Sequence, residues 1–235
     1  MKNKILIWDY DGTLVDSRLK NLNVTRRIIK KVTGNPADSF PLLRSVETYI
    51  HTIITFRNWR DFYAESFDLD ENQIDRAGIL WTEEQLADKT ESPLISGMKR
   101  LIEQFADYKQ GIVSQNSQRM IIQNLKKYGI SRFFDVVIGY EEVGLGDQKP
   151  NPQGLLSAIN KLAENNSSKV YYIGDQDSDV ECAFNAKKMT LAKDLEIVSI
   201  YLNSFGIPFN SEKLSFQPDY EICKPTELEE IILNF

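Results

Sequence analysis

The sequence predicts an α/β fold: a parallel sheet flanked by helices, interrupted early by an α-helical insertion. Three observations carry this expectation. After Ser92-Pro93, apolar runs of strand character alternate with segments of helical spacing. Between Asp16 and about Lys89, helical spacing runs on without any strand-like alternation. The N-terminal run Ile5-Leu6-Ile7-Trp8 leads directly into two aspartates, Asp9 and Asp11, with Gly12 and Thr13 following.

Lys4 to Trp8 reads as a buried strand because the run is continuously apolar and meets turn chemistry at its end. Leu19, Leu22, Val24, Ile28, Ile29 and Val32 lie at helical spacing, and Thr33-Gly34-Asn35-Pro36 stops that helix. Further helices are expected over Leu42–Arg57, Trp59–Phe67 and Asp70–Leu86. This helical module is expected to span 17–88, leaving 1–16 and 89–235 as the α/β core. In the core, helices are expected over Met98–Phe105, Ser117–Tyr128, Asn151–Glu164, Asp177–Lys187 and Leu228–Ile232. Strands are expected over Gln110–Val113, Phe134–Ile138, Lys169–Ile173 and Glu196–Leu202. Such alternation implies a parallel sheet with helices on both faces.

Composition narrows the function classes. The 235 residues are 42% hydrophobic and 26% charged, as in ordinary globular proteins and unlike disordered ones. A net charge of -6 argues against nucleic acid or an anionic membrane as partner, but says nothing against a small anionic substrate. The two cysteines, Cys182 and Cys223, have no metal-ligand spacing and read as small apolar residues. The N-terminal apolar run is too short for a signal peptide, and no stretch reaches the roughly 18 apolar residues of a membrane span. The expected location is the cytoplasm, and a monomer is expected because no coiled coil or exposed apolar stripe is evident.

Four expected strand ends carry polar residues: Asp9-Tyr10-Asp11-Gly12-Thr13, Ser114-Gln115-Asn116, Lys149-Pro150-Asn151-Pro152 and Gly174-Asp175-Gln176-Asp177-Ser178-Asp179. Open α/β sheets bind ligands beyond these ends. Several carboxylates there repel one another, and a hard cation such as Mg²⁺ relieves the repulsion. Asp9 and Asp175 are the best carboxylate ligands. Lys149 adds positive charge, and Ser114 with nearby backbone N–H groups offers donors. The set suits a phosphoryl group, and a carboxylate can itself be the nucleophile.

In their order these four segments resemble the motifs of the haloacid dehalogenase superfamily, in its phosphoglycolate-phosphatase-like branch with a helical cap after the first motif. The resemblance extends to Asp16-Ser17, Ser96-Gly97 and the run from Pro218 to Leu228. It implies a Rossmann-like core and a Mg²⁺-dependent phosphatase acting on a small phosphorylated metabolite. Asp9 would attack phosphorus. Asp11 would protonate the leaving oxygen, activate water and offer its backbone carbonyl to Mg²⁺. Asp9 and Asp175 would also ligate Mg²⁺. Gly12, Thr13, Ser114, Gln115, Asn116 and Lys149 would bind the phosphoryl group, and Asp179 would orient Lys149 or the ligands. A cap would close over the site, hinged near Val15 to Arg18 and Lys89 to Pro93. The dehalogenases of the superfamily lack an acid at the place of Asp11, so its presence favours phosphoryl chemistry.

The pattern departs at Lys187, where glycine is usual, in the long segment Lys188 to Glu196, and in Leu43 to Glu47, which has no glycine. Plainer readings stand beside the sharper ones. Asp177 is expected as a helix N-cap. Packing or exposure is the default for His51, cap core for Trp59, Phe62, Tyr63, Phe67 and Trp81, and helix surface for Arg44, Arg57, Arg60, Glu83 and Glu84. Nothing in the sequence marks Lys20, Lys30 or Lys31 as the buried lysine a phosphonate-cleaving relative would need. The alternatives to a phosphatase are a phosphomutase of the same branch and a binding protein on the same fold.

Overall fold

A computed structural model describes residues 3–56, 58–144, 147–164, 167–190, 195–206 and 215–234. The chain divides into two compact units, Met1–Val15 with Leu94–Phe235, and Asp16–Pro93.

The unit Asp16–Pro93 is helical: α1 (Arg18–Thr33), α2 (Val46–Ile53), α3 (Trp59–Phe67) and α4 (Glu71–Ala87). Leu22, Ile28 and Ile29 of α1 bury against Tyr49 of α2, Phe62, Tyr63 and Phe67 of α3, and Ile74 and Ala77 of α4. The rings meet edge to face, Tyr49 and Phe62 at 5.8 Å and Phe62 and Phe67 at 5.4 Å, the arrangement their quadrupoles favour. The aromatic residues of this unit are therefore core, with Trp59 and Trp81 partly buried against it.

Two expectations for this unit need correction, and one lysine that nothing in the sequence marks is buried. The helix expected over Leu42–Arg57 is shorter, because Ser45 and Thr48 form a reciprocal capping box that starts α2 at Val46; Arg57 lies outside the described residues. Glu84 is not surface: it is 1% exposed and sits between Arg27, at 2.6 Å, and Lys31. Lys20 is also buried, its Nζ donating to the carbonyl oxygens of Asp88 at 2.9 Å and Thr90 at 3.2 Å. Together with the Asp16 N–H, which donates to Pro93 O at 2.8 Å, these bonds tie the returning segment into the helical unit. His51 is exposed, and Arg60 pairs with Glu71 and Asp75 on the surface.

The other unit is built on one parallel sheet of β1 (Asn3–Trp8), β2 (Lys109–Val113), β3 (Val136–Ile138), β4 (Ser168–Gly174), β5 (Leu195–Leu202) and β6 (Tyr220–Ile222), in the order β3-β2-β1-β4-β5-β6. Its helices are α5 (Met98–Gln104), α6 (Gln118–Tyr128), α7 (Tyr140–Val143), α8 (Gln153–Ala163), α9 (Asp177–Thr190) and α10 (Glu227–Asn234). The period-two alternation of a strand sends β1 both ways. Leu6 and Trp8 pack with Met98, Ile121, Leu228 and Ile232 of α5, α6 and α10. Ile5 and Ile7 pack with Leu155, Ile159, Cys182 and Ala183 of α8 and α9. A sheet buried on both faces explains why β1 reads as continuously apolar.

Burying Trp8 requires a partner for its indole N–H, and Gln110 Oε1 accepts it at 3.1 Å while Gln110 Nε2 donates to the carbonyls of Ile102 and Phe105, each at 3.0 Å. The short elements β6 and α7 were not expected, and β3 is shorter than expected because its pairing begins at Val136 opposite Gly111. Cys223 is exposed rather than packed. Part of the long segment after Lys188, 191–194, lies outside the described residues. Among the described residues no helix is long and apolar enough to cross a membrane.

Candidate active site

β1 is central, hydrogen-bonded to β2 on one side and β4 on the other. Their register places Trp8 opposite Ile112 and Ile173, so the residues just beyond these three strands gather at one sheet edge. The chain leaves β1 at Asp9, whose N–H still donates to Ile173 O at 2.7 Å. Ser114 follows β2 and Asp175 follows β4. This is also where the strand order reverses, the usual crevice of a doubly wound sheet.

Lys149 enters from the loop before α8. Its Nζ donates to Asp9 Oδ1 at 2.5 Å and to Asp179 Oδ1 at 2.6 Å, with all three side chains nearly inaccessible. The loop that carries it is held three ways. Gln115 Nε2 donates to Lys149 O at 2.9 Å, Asn185 Nδ2 to Pro150 O at 3.2 Å, and Cys182 Sγ to Asn151 O at 3.6 Å. Asp179 also accepts from the Tyr172 hydroxyl at 2.8 Å and from the Gln176 N–H at 3.1 Å.

The turn after β1 is shaped by the acid after β4. Gly12 has φ +80°, and a Cβ built there would lie 2.0 Å from Asp175 Oδ2. Only glycine meets both demands. Its own N–H donates to Val15 O at 2.9 Å, and Thr13 Oγ1 donates to Asp175 Oδ1 at 3.1 Å. Asp11 is half-buried, its Oδ2 accepting from Asn116 Nδ2 at 2.8 Å. Asn116 Oδ1 in turn accepts from the Ser117 N–H at 2.7 Å, and Ser114 Oγ accepts from the Asn116 N–H at 3.1 Å.

All ten residues singled out in the sequence thus lie in or beside one cluster, several of them bonded to one another. The side chains of Thr13, Gln115 and Asn116 serve Asp175, the Lys149 carbonyl and Asp11 respectively. Asp177 is not an N-cap. It is the first residue of α9, and its carboxylate accepts from Ser215 N and Oγ at 3.0 and 2.8 Å. Tyr172 and Asn185 were not anticipated. Tyr172 was hidden in a strand run, and Asn185 carried only the signal of a polar residue between Phe184 and Ala186.

Electrostatically the cluster has more acid than one lysine can neutralise. Burial pushes the Asp9 carboxyl up to about 7, against the pull of Lys149 and with the charges of Asp179 and Asp11 adding to the rise. Burial and the charges of Asp9 and Asp179 also raise Asp175. For Lys149 burial acts downward, but the carboxylates of Asp179 and Asp9 outweigh it and hold the ammonium above the ordinary lysine range. Carboxylate oxygens of Asp9, Asp175 and Asp179 lie within 4.8 Å of one another and could hold a metal ion. An all-oxygen, crowded, desolvated donor set of this kind fits a hard divalent cation. Asp179 is the poorest ligand of the three, because both of its oxygens already accept protein hydrogen bonds.

Comparison with known proteins follows the same lines. The pyrophosphatase PpaX of Listeria welshimeri is 32% identical over 126 residues, 54% of this chain and 52% of that protein. The glyceraldehyde 3-phosphate phosphatase of Methanopyrus kandleri is 29% identical over 132 residues, 53% of this chain and 49% of that protein. The chain thus matches about half the length of these curated relatives. Among solved structures, a haloacid dehalogenase-like hydrolase from Streptococcus pneumoniae superposes with a TM-score of 0.70 at 21% identity, covering 97% of this chain and 98% of that one. A protein named as a predicted phosphoglycolate phosphatase from Haemophilus somnus gives 0.71 at 17% identity, covering 98% of each. At these identities the two structures establish the shared fold. The description "Haloacid dehalogenase-like hydrolase" matches residues 6–193, from within β1 to beyond the end of α9, and the chain belongs to that family.

Proposed function

We propose that the chain is a Mg²⁺-dependent phosphatase that hydrolyses a small phosphorylated metabolite in two steps through phospho-Asp9. The observation that carries this reading is Lys149 Nζ, held between Asp9 Oδ1 and Asp179 Oδ1 in a nearly inaccessible cluster. A lysine so placed holds one oxygen of Asp9 and leaves the other to attack phosphorus, with its charge beside the oxygens of the transferring group. Ser114, at the tip of the neighbouring strand, donates its hydroxyl to a phosphoryl oxygen. Asp11, held by Asn116, gives a proton to the leaving oxygen and then takes one from the water that cleaves the acyl phosphate. Asp9 and Asp175, with the Asp11 carbonyl, would hold Mg²⁺, which when bound offsets the crowded negative charge of carboxylates and phosphoryl group.

The likeness to PpaX favours one second substrate class, inorganic pyrophosphate, in which the leaving group is itself a phosphate. Phosphate release is to be measured from pyrophosphate and a panel of small phosphomonoesters, with Mg²⁺ and with EDTA, alongside Asp9→Asn. Release that needs Mg²⁺ and vanishes in Asp9→Asn is expected. A folded, Mg²⁺-supplied protein that releases phosphate from no member would overturn the reading, and conversion of a hexose 1-phosphate to its isomer would assign it to the mutases.

A further inference from the structure

We infer that Tyr172 is a positioning residue for the phosphoryl-transfer site, acting through Asp179 on Lys149. The inference rests on the reading of Asp9 and Lys149 as the reacting pair.

Tyr172 lies on β4 with its ring in the apolar layer under α8 and α9, among Ile5, Ile7, Ile159 and Cys182. At 1% exposure its hydroxyl has no access to bulk water, and an unpaired hydroxyl there would be costly. It donates to Asp179 Oδ1 at 2.8 Å, the same oxygen that accepts from Lys149 Nζ at 2.6 Å. Asp179 Oδ2 accepts from the Gln176 N–H at 3.1 Å, so the carboxylate is gripped from two sides. Gly174 supplies a floor for it: a Cβ there would lie 2.3 Å from Asp179 Cγ. Lys149 Nζ stands 5.8 Å from the centroid of the Tyr172 ring.

The geometry gives Tyr172 a task that phenylalanine could not perform. Lys149 is shared between two carboxylates, and its distance from Asp9 depends on where Asp179 stands. The tyrosine hydroxyl fixes that position and occupies part of the acceptor capacity of Asp179 Oδ1, which keeps Lys149 directed at Asp9 rather than drawn back to Asp179. The effect belongs to the chemical step, not to substrate binding, because Tyr172 lies beneath the sheet edge and its hydroxyl donates to Asp179.

The test is a double-mutant cycle of Tyr172→Phe and Asp179→Asn, read as kcat and KM on the best substrate with Mg²⁺. Tyr172→Phe is expected to lower kcat about tenfold with KM nearly unchanged, and to have almost no effect in the Asp179→Asn background. A loss of equal size in both backgrounds, a loss carried by KM, or no loss at all would overturn the inference. A second readout does not depend on turnover: the rate at which acetic anhydride labels Lys149, followed by peptide mass spectrometry. Loosening of the clamp is expected to speed labelling in Tyr172→Phe, whereas an unchanged rate would count against the role. If the wild-type protein releases no phosphate, the functional reading fails alone, and labelling of Lys149 decides the Tyr172 clamp.

Discussion

Replacing Gly12 with alanine separates two costs that the fold imposes on one residue. Left-handed backbone strain is the first. Gly12 at φ +80° shares it with Gly129 at φ +71°, and for an L residue it amounts to about 1–2 kcal/mol. Collision is the second. A Cβ at Gly129 meets nothing within 4 Å, whereas one at Gly12 would overlap Asp175 Oδ2 at 2.0 Å. The Asp175 carboxylate must then swing away and give up its bond from Thr13 Oγ1, a hydrogen bond to a charged acceptor worth about 1.5–3 kcal/mol. Gly129→Ala is therefore expected to cost about 1–2 kcal/mol and Gly12→Ala about 2.5–5 kcal/mol in urea unfolding. Gly12→Ala should also lower phosphate release at least about a hundredfold and weaken the Mg²⁺-induced rise in Tm, because Asp175 no longer stands beside Asp9. Gly129→Ala should leave both unchanged. Equal stability losses in the two variants, with Mg²⁺ response intact in each, would refute the claim that the turn after β1 is moulded on Asp175.

Three further outcomes follow from buried polar groups. Gln110→Leu strands the Trp8 indole N–H and the carbonyls of Ile102 and Phe105, and should cost about 3 kcal/mol; adding Trp8→Phe should cost less than the sum of the two, measured by chemical denaturation. For Glu84, burial acts upward, but Lys31 and Arg27 outweigh it and hold the carboxyl below the usual glutamate range. Its contribution is therefore full above the unfolded pKa and lost as pH falls, so Glu84→Gln should cost about 1–2 kcal/mol at pH 7, discounted because both cations are half exposed, and nearly nothing in acid. Asp9 has the opposite sign: raised from 3.8 to about 7, it keeps a proton in the folded chain that the unfolded chain has lost. Metal-free stability should fall as pH rises between about 4 and 7, and the Mg²⁺-induced rise in Tm should be larger at pH 8 than at pH 5. Calorimetry showing the reverse trend would remove the crowded-carboxylate account of the site.

The fold was legible where burial is two-sided or periodic. β1, β4 and β5 carry largely apolar runs, Ile5–Trp8, Val170–Ile173 and Ile197–Leu202, because helices cover both faces, and α1, α3 and α4 follow their apolar spacing. Short or edge elements were not: β6 spans Tyr220–Ile222 and α7 spans Tyr140–Val143, too short for a period to show. The break before α2 escaped because Ser45 caps as readily inside a polar run as between helices. Glu84 reads as surface because charge usually means solvent, and nothing in the sequence marks Lys20 as buried; only the facing helix or returning segment shows where each charge is met.

By itself the sequence determined the alternation of strands and helices, the helical insertion, and the identity of the acids, serine and lysine that meet at the sheet edge. Those properties reside in local pattern and in residue type, which a chain carries whether or not it is folded. Only the tertiary structure decided how the acids are divided. It put Lys149 between Asp9 and Asp179, filled both oxygens of Asp179 with Tyr172, Gln176 and Lys149, and set Gly12 against Asp175. Tyr172 and Lys149 share one oxygen of Asp179 because β4 turns into α9 just past Gly174, while the lysine arrives from a loop before α8. Contacts between segments so far apart in sequence depend on strand order and helix docking, which no local pattern encodes.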